Sequence, residues 1–569
     1  MPLAPERVAT LWRCVRQSRR GPAARFPYDD PLPVASVASR PTFLPKAGAA
    51  PTGLAGAIAI VVGLVVVSVV LRTLALGDSF WMDEGLSVAI ANQPFFEIPG
   101  VLRQDGSPPL YYMLLSVWID VFGSTAAATQ ALSVAIAVIA IPVAFWAGRG
   151  LFGMKAGLIA ASLAALNPFL TQYAQETRMY SLMVLLTLAV SALFLHAFVY
   201  RRGAYKWAFA VVLALMLYTH NWGIFVTAGC VGTFAAVLFA SSAGERRPLL
   251  RDGAIGFGLA FLLYAPWLPT LLFQALNTGA PWVDSPRLGA PVQISKNLLG
   301  GGSATIALIL GIFAGAVAIF AASRSERLRH WRAWRPQSQE QTAMLALVSL
   351  GVLTLAVAWL FSQFSPAWTT RYLGVALGPI FLLAAIGLAR ARAVGIFALV
   401  IVLAIWAIPR TTELKNKSNA KDLAAQAAPL LADGDLVIST QPEQAPLLDF
   451  RFDEDLQYAT TLGGKPERTG VVMDWRDALE KLENATPEKD LAPQLARLPA
   501  GAHVLLVRPV TTNVDDWDAP WTQLVRRRSA QWGRALDRDP RFVQTAVVPD
   551  FYRRASRIGV GGVVYTKFR

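Results

Sequence analysis

Long apolar runs alternate with short polar stretches between about Leu54 and Pro409. Most of these runs have the length of roughly 20 helical residues that crosses a hydrocarbon core about 30 Å thick. The pattern therefore predicts a helical membrane protein with eleven spans. Their predicted bounds are 54–76, 126–148, 156–174, 178–200, 205–219, 222–241, 253–274, 303–322, 341–363, 371–389 and 393–409.

Clusters of Lys and Arg between the runs predict how the spans are oriented. The positive-inside rule places these clusters in the cytoplasm, which puts the N-terminus inside and the C-terminus outside. Only one crossing then fits between the first span and Arg149, so Pro108 to Phe122 is predicted to be a short interfacial helix on the outer face. The clusters are Arg149/Lys155, Arg201/Arg202/Lys206, Arg246/Arg247/Arg251, Arg324 to Arg335, and Arg390/Arg392.

The regions that flank the spans have a different composition. Residues 1–52 are basic and rich in Pro and Ala, which predicts a mostly disordered cytoplasmic tail. The first apolar run is too long for the core of a signal peptide, so we expect it to be retained as a span. From residue 410 to 569 acids, Pro and Gly return, which predicts a soluble α/β domain outside the membrane. Its strand-like runs are Asp435 to Thr440, His503 to Pro509 and Gly559 to Thr566, and its helical patterns are 475–483 and 521–536.

Composition excludes several classes of protein. Of the 569 residues, 54% are hydrophobic and only 16% are charged, against about 25% charged in a soluble domain. The net charge of +15 follows the loops between spans, so it reflects topology and not nucleic-acid binding. Cys14 and Cys230 cannot form a disulfide scaffold or a zinc site. No paired-ligand spacing predicts metal ligands, and a divalent metal ion stays open as a cofactor.

The predicted topology gathers polar side chains on the outer face. A carboxylate there can take a proton from an attacking hydroxyl, and Asp83 in Trp81-Met82-Asp83-Glu84 is the first candidate. An arginine can pair with the phosphate of a departing lipid carrier, and Arg178 and Arg371 are the candidates. Few ionisable residues fall deep inside the predicted spans, which argues against an ion-coupled transporter.

The order of these motifs resembles a known family of enzymes. The first span, W-x-D-E at Trp81 to Glu84, P-P-L-Y-Y at Pro108 to Tyr112, Q-E-x-R-x-Y at Gln175 to Tyr180 and R-Y-L-G from Arg371 are similar to the polyprenyl-phosphate-dependent glycosyltransferases of the GT-C superfamily. The narrower likeness is to family 39, the branch of the protein O-mannosyltransferases and aminoarabinose transferases. It covers roughly residues 54–410.

The resemblance implies a GT-C catalytic domain over residues 53–409, with an outer loop at 77–125. It also implies inverting transfer of a monosaccharide from a polyprenyl-phosphate donor to an envelope acceptor, which is a glycan, a lipid or a protein. Asp83 would be the catalytic base, with Glu84 beside it to position acceptor or donor. The donor phosphate would contact Arg178, and Arg371 and Tyr372 are further candidates for that contact. The substrate-binding candidates on the same face are Glu176, Tyr111, Tyr112 and His220.

Two positions depart from the family pattern. Ser107 precedes Pro108 where relatives often have His, and Gln130 stands where many have Arg. We expect Arg103 or His220 to take over what those side chains do. A function of another class also remains open, namely a non-catalytic flippase for lipid-linked sugars or an assembly scaffold for envelope glycans. A flippase needs a polar path through the membrane, which the predicted spans do not obviously provide.

Overall fold

Helices occupy the predicted apolar runs in a computed structural model, which describes residues 51–321, 338–464, 466–467, 471–510, 519–549 and 559–568. The tail predicted for residues 1–52, apart from its last two residues, and the basic cluster Arg324 to Arg335 lie outside the described residues. The α-helices up to residue 406 are α1 (Pro51–Thr73), α2 (Met82–Ala91), α3 (Ile98–Asp105), α4 (Leu110–Phe122), α5 (Ala126–Phe152), α6 (Met154–Leu166), α7 (Pro168–Tyr173), α8 (Tyr180–Phe194), α9 (Tyr205–Thr219), α10 (Gly223–Ala240), α11 (Ala243–Tyr264), α12 (Leu268–Asn277), α13 (Gly302–Ala321), α14 (Gln339–Phe361), α15 (Leu377–Arg390) and α16 (Arg392–Trp406).

The helices match the predicted spans closely. Within the described residues, nine helical stretches are long and apolar enough to cross a membrane. The spans predicted at 156–174 and 205–219 fall on shorter apolar helices, α6 and α9. The chain is therefore a multi-pass membrane protein. The short helix predicted between Pro108 and Phe122 is present as α4.

Two predicted spans are interrupted by proline. The span predicted at 156–174 breaks between α6 and α7. There the Asn167 side chain accepts a hydrogen bond from the backbone N–H of Leu170 (3.1 Å), and Pro168 begins the next helix. The span predicted at 253–274 starts earlier, at Ala243, and breaks at Pro266 between α11 and α12. Proline lacks the N–H that continues a helix, so hydropathy alone cannot reveal these breaks.

Contacts join several of the predicted cytoplasmic clusters at one end of the helix bundle. Arg390 forms an ion pair with Glu340, and its guanidinium also lies near the carbonyl of Phe152. Arg202 donates to the carbonyl of Gly150 (3.2 Å). The turns that follow α5, α8 and α15 therefore lie together at one end of the bundle.

The region after α16 contains a five-stranded sheet in the order β2-β1-β3-β5-β4. β1 is parallel to β2 and β3, whereas β5 is antiparallel to β3 and β4. Three strands coincide with the predicted runs. β2 and β4 were not predicted. Both are edge strands of the sheet, and most side chains of β4 are exposed. The elements are α17 (Thr411–Lys415), α18 (Ala420–Ala427), β1 (Leu436–Ser439), α19 (Ala445–Arg451), β2 (Gln457–Thr460), α20 (Ala478–Glu483), α21 (Ala492–Arg497), β3 (His503–Val510), α22 (Pro520–Arg538), β4 (Phe542–Val548) and β5 (Gly559–Lys567).

The C-terminal region packs directly on α2. The described residues belong to one compact unit. A Cβ atom at Gly85 would lie 2.7 Å from the Cα atom of Leu447, so α2 and α19 approach closely only because residue 85 is glycine. Beside them the rings of Phe80 and Phe450 stack with centroids 4.7 Å apart. This contact brings the sheet region against the segment that carries Asp83.

Candidate functional site

Asp83 lies in the first turn of α2 and is paired with an arginine. The helix begins here because the Glu84 carboxylate accepts a hydrogen bond from the backbone N–H of Trp81 (3.2 Å). Asp83 Oδ2 lies 2.8 Å from Arg371 Nη1, and the two side chains are 17% and 19% exposed. Within the described residues no hydrogen bond engages Oδ1. The ion pair is therefore accessible, and one carboxylate oxygen is left available.

Arg178 contacts the same segment. Its Nη1 donates to Ser87 Oγ (3.2 Å) and lies 3.4 Å from both the Asp83 carbonyl oxygen and the Tyr112 hydroxyl. The buried Nε–H groups of Arg178 and Arg371 have no hydrogen-bond partner among the described residues. Two guanidinium groups with unused donors form a place suited to an anion.

Glu84 is enclosed completely and holds this segment in place. Its Oε2 lies 2.7 Å from Lys417 Nζ, and the two side chains are 0% and 1% exposed. Its Oε1 accepts hydrogen bonds from Gln130 Nε2 (2.8 Å) and from the backbone N–H of Thr177 (2.9 Å). Burial raises the pKa of Glu84, and the Lys417 ammonium opposes that rise. Because Glu84 has no open surface, it fixes the turn that carries Asp83 and does not touch a ligand in this conformation.

The two tyrosines of α4 support Arg178. Both are fully buried. The Tyr111 hydroxyl hydrogen-bonds with Ser133 Oγ (3.0 Å), which in turn donates to the Arg178 carbonyl (3.2 Å). Burial raises the pKa of Tyr112 to about 12, so both side chains remain neutral phenols at physiological pH. The substrate contact predicted for these tyrosines stays a prediction. Neither side chain lines the cavity beside Arg371 or the one beside Arg103.

Tyr372, His220 and Glu176 surround the arginines. The Tyr372 ring lies 4.5 Å from the His220 ring and 5.7 Å from the Trp222 ring. His220 Nδ1 accepts a hydrogen bond from the backbone N–H of Trp222 (3.1 Å), which leaves its proton on Nε2. Burial, together with Arg178 and Arg371, lowers the pKa of His220 to about 3. His220 is therefore a neutral donor here. Glu176 is fully buried, and its carbonyl accepts from the Arg178 backbone N–H (2.8 Å).

The lowered pKa of His220 predicts a measurable pH dependence of stability. Unfolded histidine titrates near pH 6.5, whereas the folded pKa is about 3. Between these values the unfolded state binds the extra proton, so stability is complete above about pH 6.5 and falls as the pH is lowered. We expect a loss of about 2 kcal/mol between pH 7 and pH 5 from this residue.

Denaturant unfolding of wild type and His220→Asn at both pH values measures this loss. The asparagine side chain can still accept from the Trp222 N–H, and it does not titrate. The variant should therefore lose less stability on acidification than the wild type. An equal loss in both proteins would show that His220 is protonated in the folded state.

A cavity of about 570 Å³ opens beside Arg371. One wall is the segment after α12, with Trp282, Asp284 and Arg287, and the other runs from Trp368 to Arg371. The indole N–H groups of Trp282 and Trp368 are buried without a hydrogen-bond partner among the described residues. This size lies within the range of small-ligand sites, and a sugar fits such a mixture of aromatic faces and unused donors.

Several site residues were missed or misplaced by the sequence analysis. Lys417 and Gln130 hold Glu84, but each is a single polar residue with no motif around it. Gln130 is one of the two positions that depart from the family pattern. Its side chain also accepts a hydrogen bond from the Gly77 N–H (2.8 Å) and so holds the loop before α2. Arg103 stacks on Phe273, 3.9 Å from the ring centroid, and lines a separate cavity. Of the two expected substitutes, only His220 lies beside the arginines.

Metal ligands do not gather in the part of the chain that the structure describes. There, no group of three or more His, Cys, Asp and Glu side chains has the arrangement of a metal site.

Comparisons with known proteins give matches only among solved structures. No protein-family model and no curated protein matches the sequence. The apo structure of ArnT from Cupriavidus metallidurans matches with a TM-score of 0.55 and 14% identity, over 89% of this chain and 98% of that chain. The same protein bound to undecaprenyl phosphate matches with a TM-score of 0.53 and 14% identity, over 90% and 98%. The archaeal oligosaccharyltransferase AglB from Archaeoglobus fulgidus, in complex with an inhibitory peptide and a dolichol-phosphate, matches with a TM-score of 0.51 and 13% identity, over 80% and 70%.

Proposed function

We propose that this chain, which has the GT-C fold, is a membrane glycosyltransferase that takes a monosaccharide from a polyprenyl-phosphate donor. The observation that carries the proposal is the accessible Asp83–Arg371 ion pair, with Arg178 beside it and a cavity against Arg371. It combines a carboxylate, an anion site and room for a sugar in one place.

The solved structures of similar fold support the class of donor. One was determined with undecaprenyl phosphate and another with a dolichol-phosphate. Both ligands are polyprenyl phosphates, and both are bound by proteins that match most of this chain. At this low identity the likeness concerns the fold, so the argument for function rests on the residues of the site.

In the proposed reaction Asp83 acts as the general base. Its carboxylate takes the proton of the acceptor hydroxyl while the hydroxyl oxygen forms a bond to the anomeric carbon of the donor sugar. The bond from that carbon to the phosphate oxygen breaks, and both its electrons leave with the polyprenyl phosphate. Attack opposite to the leaving group inverts the anomeric centre.

The arginines neutralise the phosphate as it leaves. Arg371 pairs with Asp83 when no donor is bound, and its Nε–H is unused. The donor phosphodiester carries one negative charge and competes with Asp83 for this guanidinium, and its charge grows as the sugar leaves. The carboxylate that loses its arginine is freed to accept a proton. The donor therefore activates the base by occupying Arg371. Arg178, which lies 3.4 Å from the Asp83 carbonyl oxygen, adds a second positive charge.

We further propose that the site lies on the outer face of the membrane, with the C-terminal α/β domain outside and the N-terminus in the cytoplasm. The support is the separation of the basic turns from the Asp83 site in sequence and in contacts. The sugar would occupy the cavity between Trp282 and Trp368. The acceptor would be an envelope glycan, lipid or protein.

Replacement of Arg371 tests the anion site. In Arg371→Gln we expect the KM for the donor to rise about 10- to 100-fold, because charge-assisted hydrogen bonds to the phosphate are lost. Competition of labelled donor by undecaprenyl phosphate measures the same loss as binding. Arg103→Gln is the matched control, since Arg103 lines a different cavity. Equal KM values in both variants would exclude Arg371 from the donor site.

The function itself is tested with purified protein in liposomes. A panel of polyprenyl-phosphate monosaccharides, labelled in the sugar, is supplied with envelope extracts as acceptors, and transfer is measured. Transfer of one sugar establishes the enzyme and identifies its donor. If the folded protein binds polyprenyl phosphate and transfers no sugar from the panel, a flippase or a scaffold is the better assignment.

A further inference from the structure

A second carboxylate approaches Asp83 from the C-terminal region. Glu443 lies in the short turn Pro442–Gln444 that follows β1. The neighbouring Gln441 side chain lies 3.6 Å from the sulfur of Met82, the residue before Asp83. Burial raises the pKa of Glu443, hydrogen bonds from Gln441 and Trp521 oppose that rise, and the Asp83 charge adds to it.

Only one of the two Glu443 oxygens is satisfied. Oε1 accepts hydrogen bonds from Gln441 Nε2 (2.9 Å) and from Trp521 Nε1 (3.0 Å). Glu443 is 8% exposed, and its Oε2 is buried and has no partner among the described residues. The adjacent Gln444 Oε1 is likewise buried without a partner. A buried acceptor with no donor costs about 1–3 kcal/mol, so two in one turn call for a ligand that brings donors.

The position of the turn in the sheet is typical of a binding site. β1 is parallel to both of its neighbours, and the turn follows its carboxyl end. Ligands of sheets with parallel strands bind outside the carboxyl ends of those strands. The contact that closes the turn toward α2 is made by Met82, an unbranched side chain that changes rotamer at low cost.

Aromatic side chains connect Glu443 with the cavity beside Arg371. Trp521, which donates to Glu443, lies 5.1 Å from Trp475, and Trp475 lies 4.3 Å from Trp282, measured between ring centroids. Trp282 lines the cavity. Indole rings present flat apolar faces on which sugar rings stack.

A purely structural role for Glu443 does not require its charge. Trp521 and Gln441 both donate to Oε1, and the amide oxygen of a glutamine could accept the same two hydrogen bonds. The negative charge and the unused Oε2 therefore add nothing to this connection between the turn and α22. A ligand hydroxyl that reaches Oε2 would use both.

We propose that Glu443 is an acceptor-binding residue, whose Oε2 accepts a hydrogen bond from a second hydroxyl of the molecule that Asp83 deprotonates. The inference rests on the proposed function and defines the class of acceptor. Two carboxylates that face one ligand select a molecule with at least two neighbouring hydroxyls. The acceptor is accordingly a glycan, and the isolated hydroxyl of a serine or threonine side chain fits less well.

Binding of simple glycosides tests this site without a transfer assay. Wild type, Glu443→Gln and Glu480→Gln are placed in nanodiscs, and tryptophan fluorescence is titrated with methyl hexosides and methyl hexobiosides. Glu480 lies on the exposed surface of α20 and serves as the matched carboxylate control. We expect saturable binding that is weakened about tenfold in Glu443→Gln, the size expected for one hydrogen bond to a charged group. Glu480→Gln should bind like the wild type. Thermal unfolding confirms that each variant is folded.

Transfer assays with the same variants separate this inference from the proposed function. Glu443→Gln should raise the KM for the glycoside acceptor and leave the KM for the donor unchanged. A glycoside that lacks the hydroxyl next to the reactive one should show little further rise in KM with this variant. The inference is overturned if no glycoside binds, if both variants bind alike, or if serine and threonine peptides are the better acceptors. Glycoside binding that depends on Glu443, in a protein that transfers no sugar, would uphold this site and refute the proposed enzyme.

Discussion

Replacement of Asp83 by asparagine is expected to lower the rate of sugar transfer by about 10²- to 10⁴-fold, the usual contribution of a general base. Asparagine has nearly the same shape as aspartate, but its amide does not take a proton at physiological pH. The Arg371 guanidinium, now without its ion-pair partner, remains available to the donor phosphate. We therefore expect donor binding to be unchanged or tighter while turnover collapses.

Initial rates of transfer and competition by undecaprenyl phosphate measure the two effects separately. Asp78→Asn is the matched control, because Asp78 lies on the same segment in a half-exposed ion pair with Lys415 (3.4 Å). This variant should transfer at a rate close to that of the wild type. Wild-type turnover in a folded Asp83→Asn protein would remove Asp83 from the role of base.

Replacement of Lys417 by methionine is expected to lower the free energy of unfolding by about 3–5 kcal/mol, because it leaves the Glu84 carboxylate buried without its cation. Glu84 in the variant escapes part of this cost by binding a proton. Its folded pKa is then raised above the unfolded value, so the deficit is largest at high pH and shrinks as the pH falls. The double variant Glu84→Gln/Lys417→Met should recover part of the loss.

Denaturant unfolding in micelles, followed by tryptophan fluorescence at two pH values, provides the comparison. Lys415→Met is the control, since its ion pair with Asp78 is about half exposed and contributes at most about 1 kcal/mol. A similar small loss for both lysine variants would mean that the buried pair does not stabilise the loop.

The span pattern was predictable because hydrophobic length is a local property of the sequence. The runs around α5, α8 and α10 each appear as one helix, and the basic turns between helices identify one end of the bundle. What the pattern did not reveal is where a helix breaks. A single residue decides that at Asn167 and at Pro266.

The candidate site was predictable to the extent that it depends on sidedness. Asp83, Arg178 and Arg371 are separated by up to 288 positions along the chain. The predicted order and number of spans put all three on the same face of the membrane. In the structure both arginines contact Asp83. Their proposed roles still await the measurements above. The residue that pairs with each arginine could not be predicted, because several polar residues predicted on the outer face were equally eligible.

The residues that were missed depend on packing between distant parts of the chain. Lys417 and Glu443 both come from the C-terminal region, and neither stands in a recognisable motif. A signal was available for Glu443, since polar residues after a predicted strand are typical of sites at the carboxyl ends of parallel strands. Using it required the strand order, which the sequence did not provide.

The ion pair between Glu84 and Lys417 joins residues 333 positions apart in the sequence. All spans after the first lie between them in the chain. During translation the segment around Asp83 leaves the ribosome long before residue 417 does. Until then the buried Glu84 lacks its cation, and the turn that carries Asp83 lacks its final support. An unfinished chain therefore has no assembled site. The site is complete only when the last span and the lysine beyond it are in place.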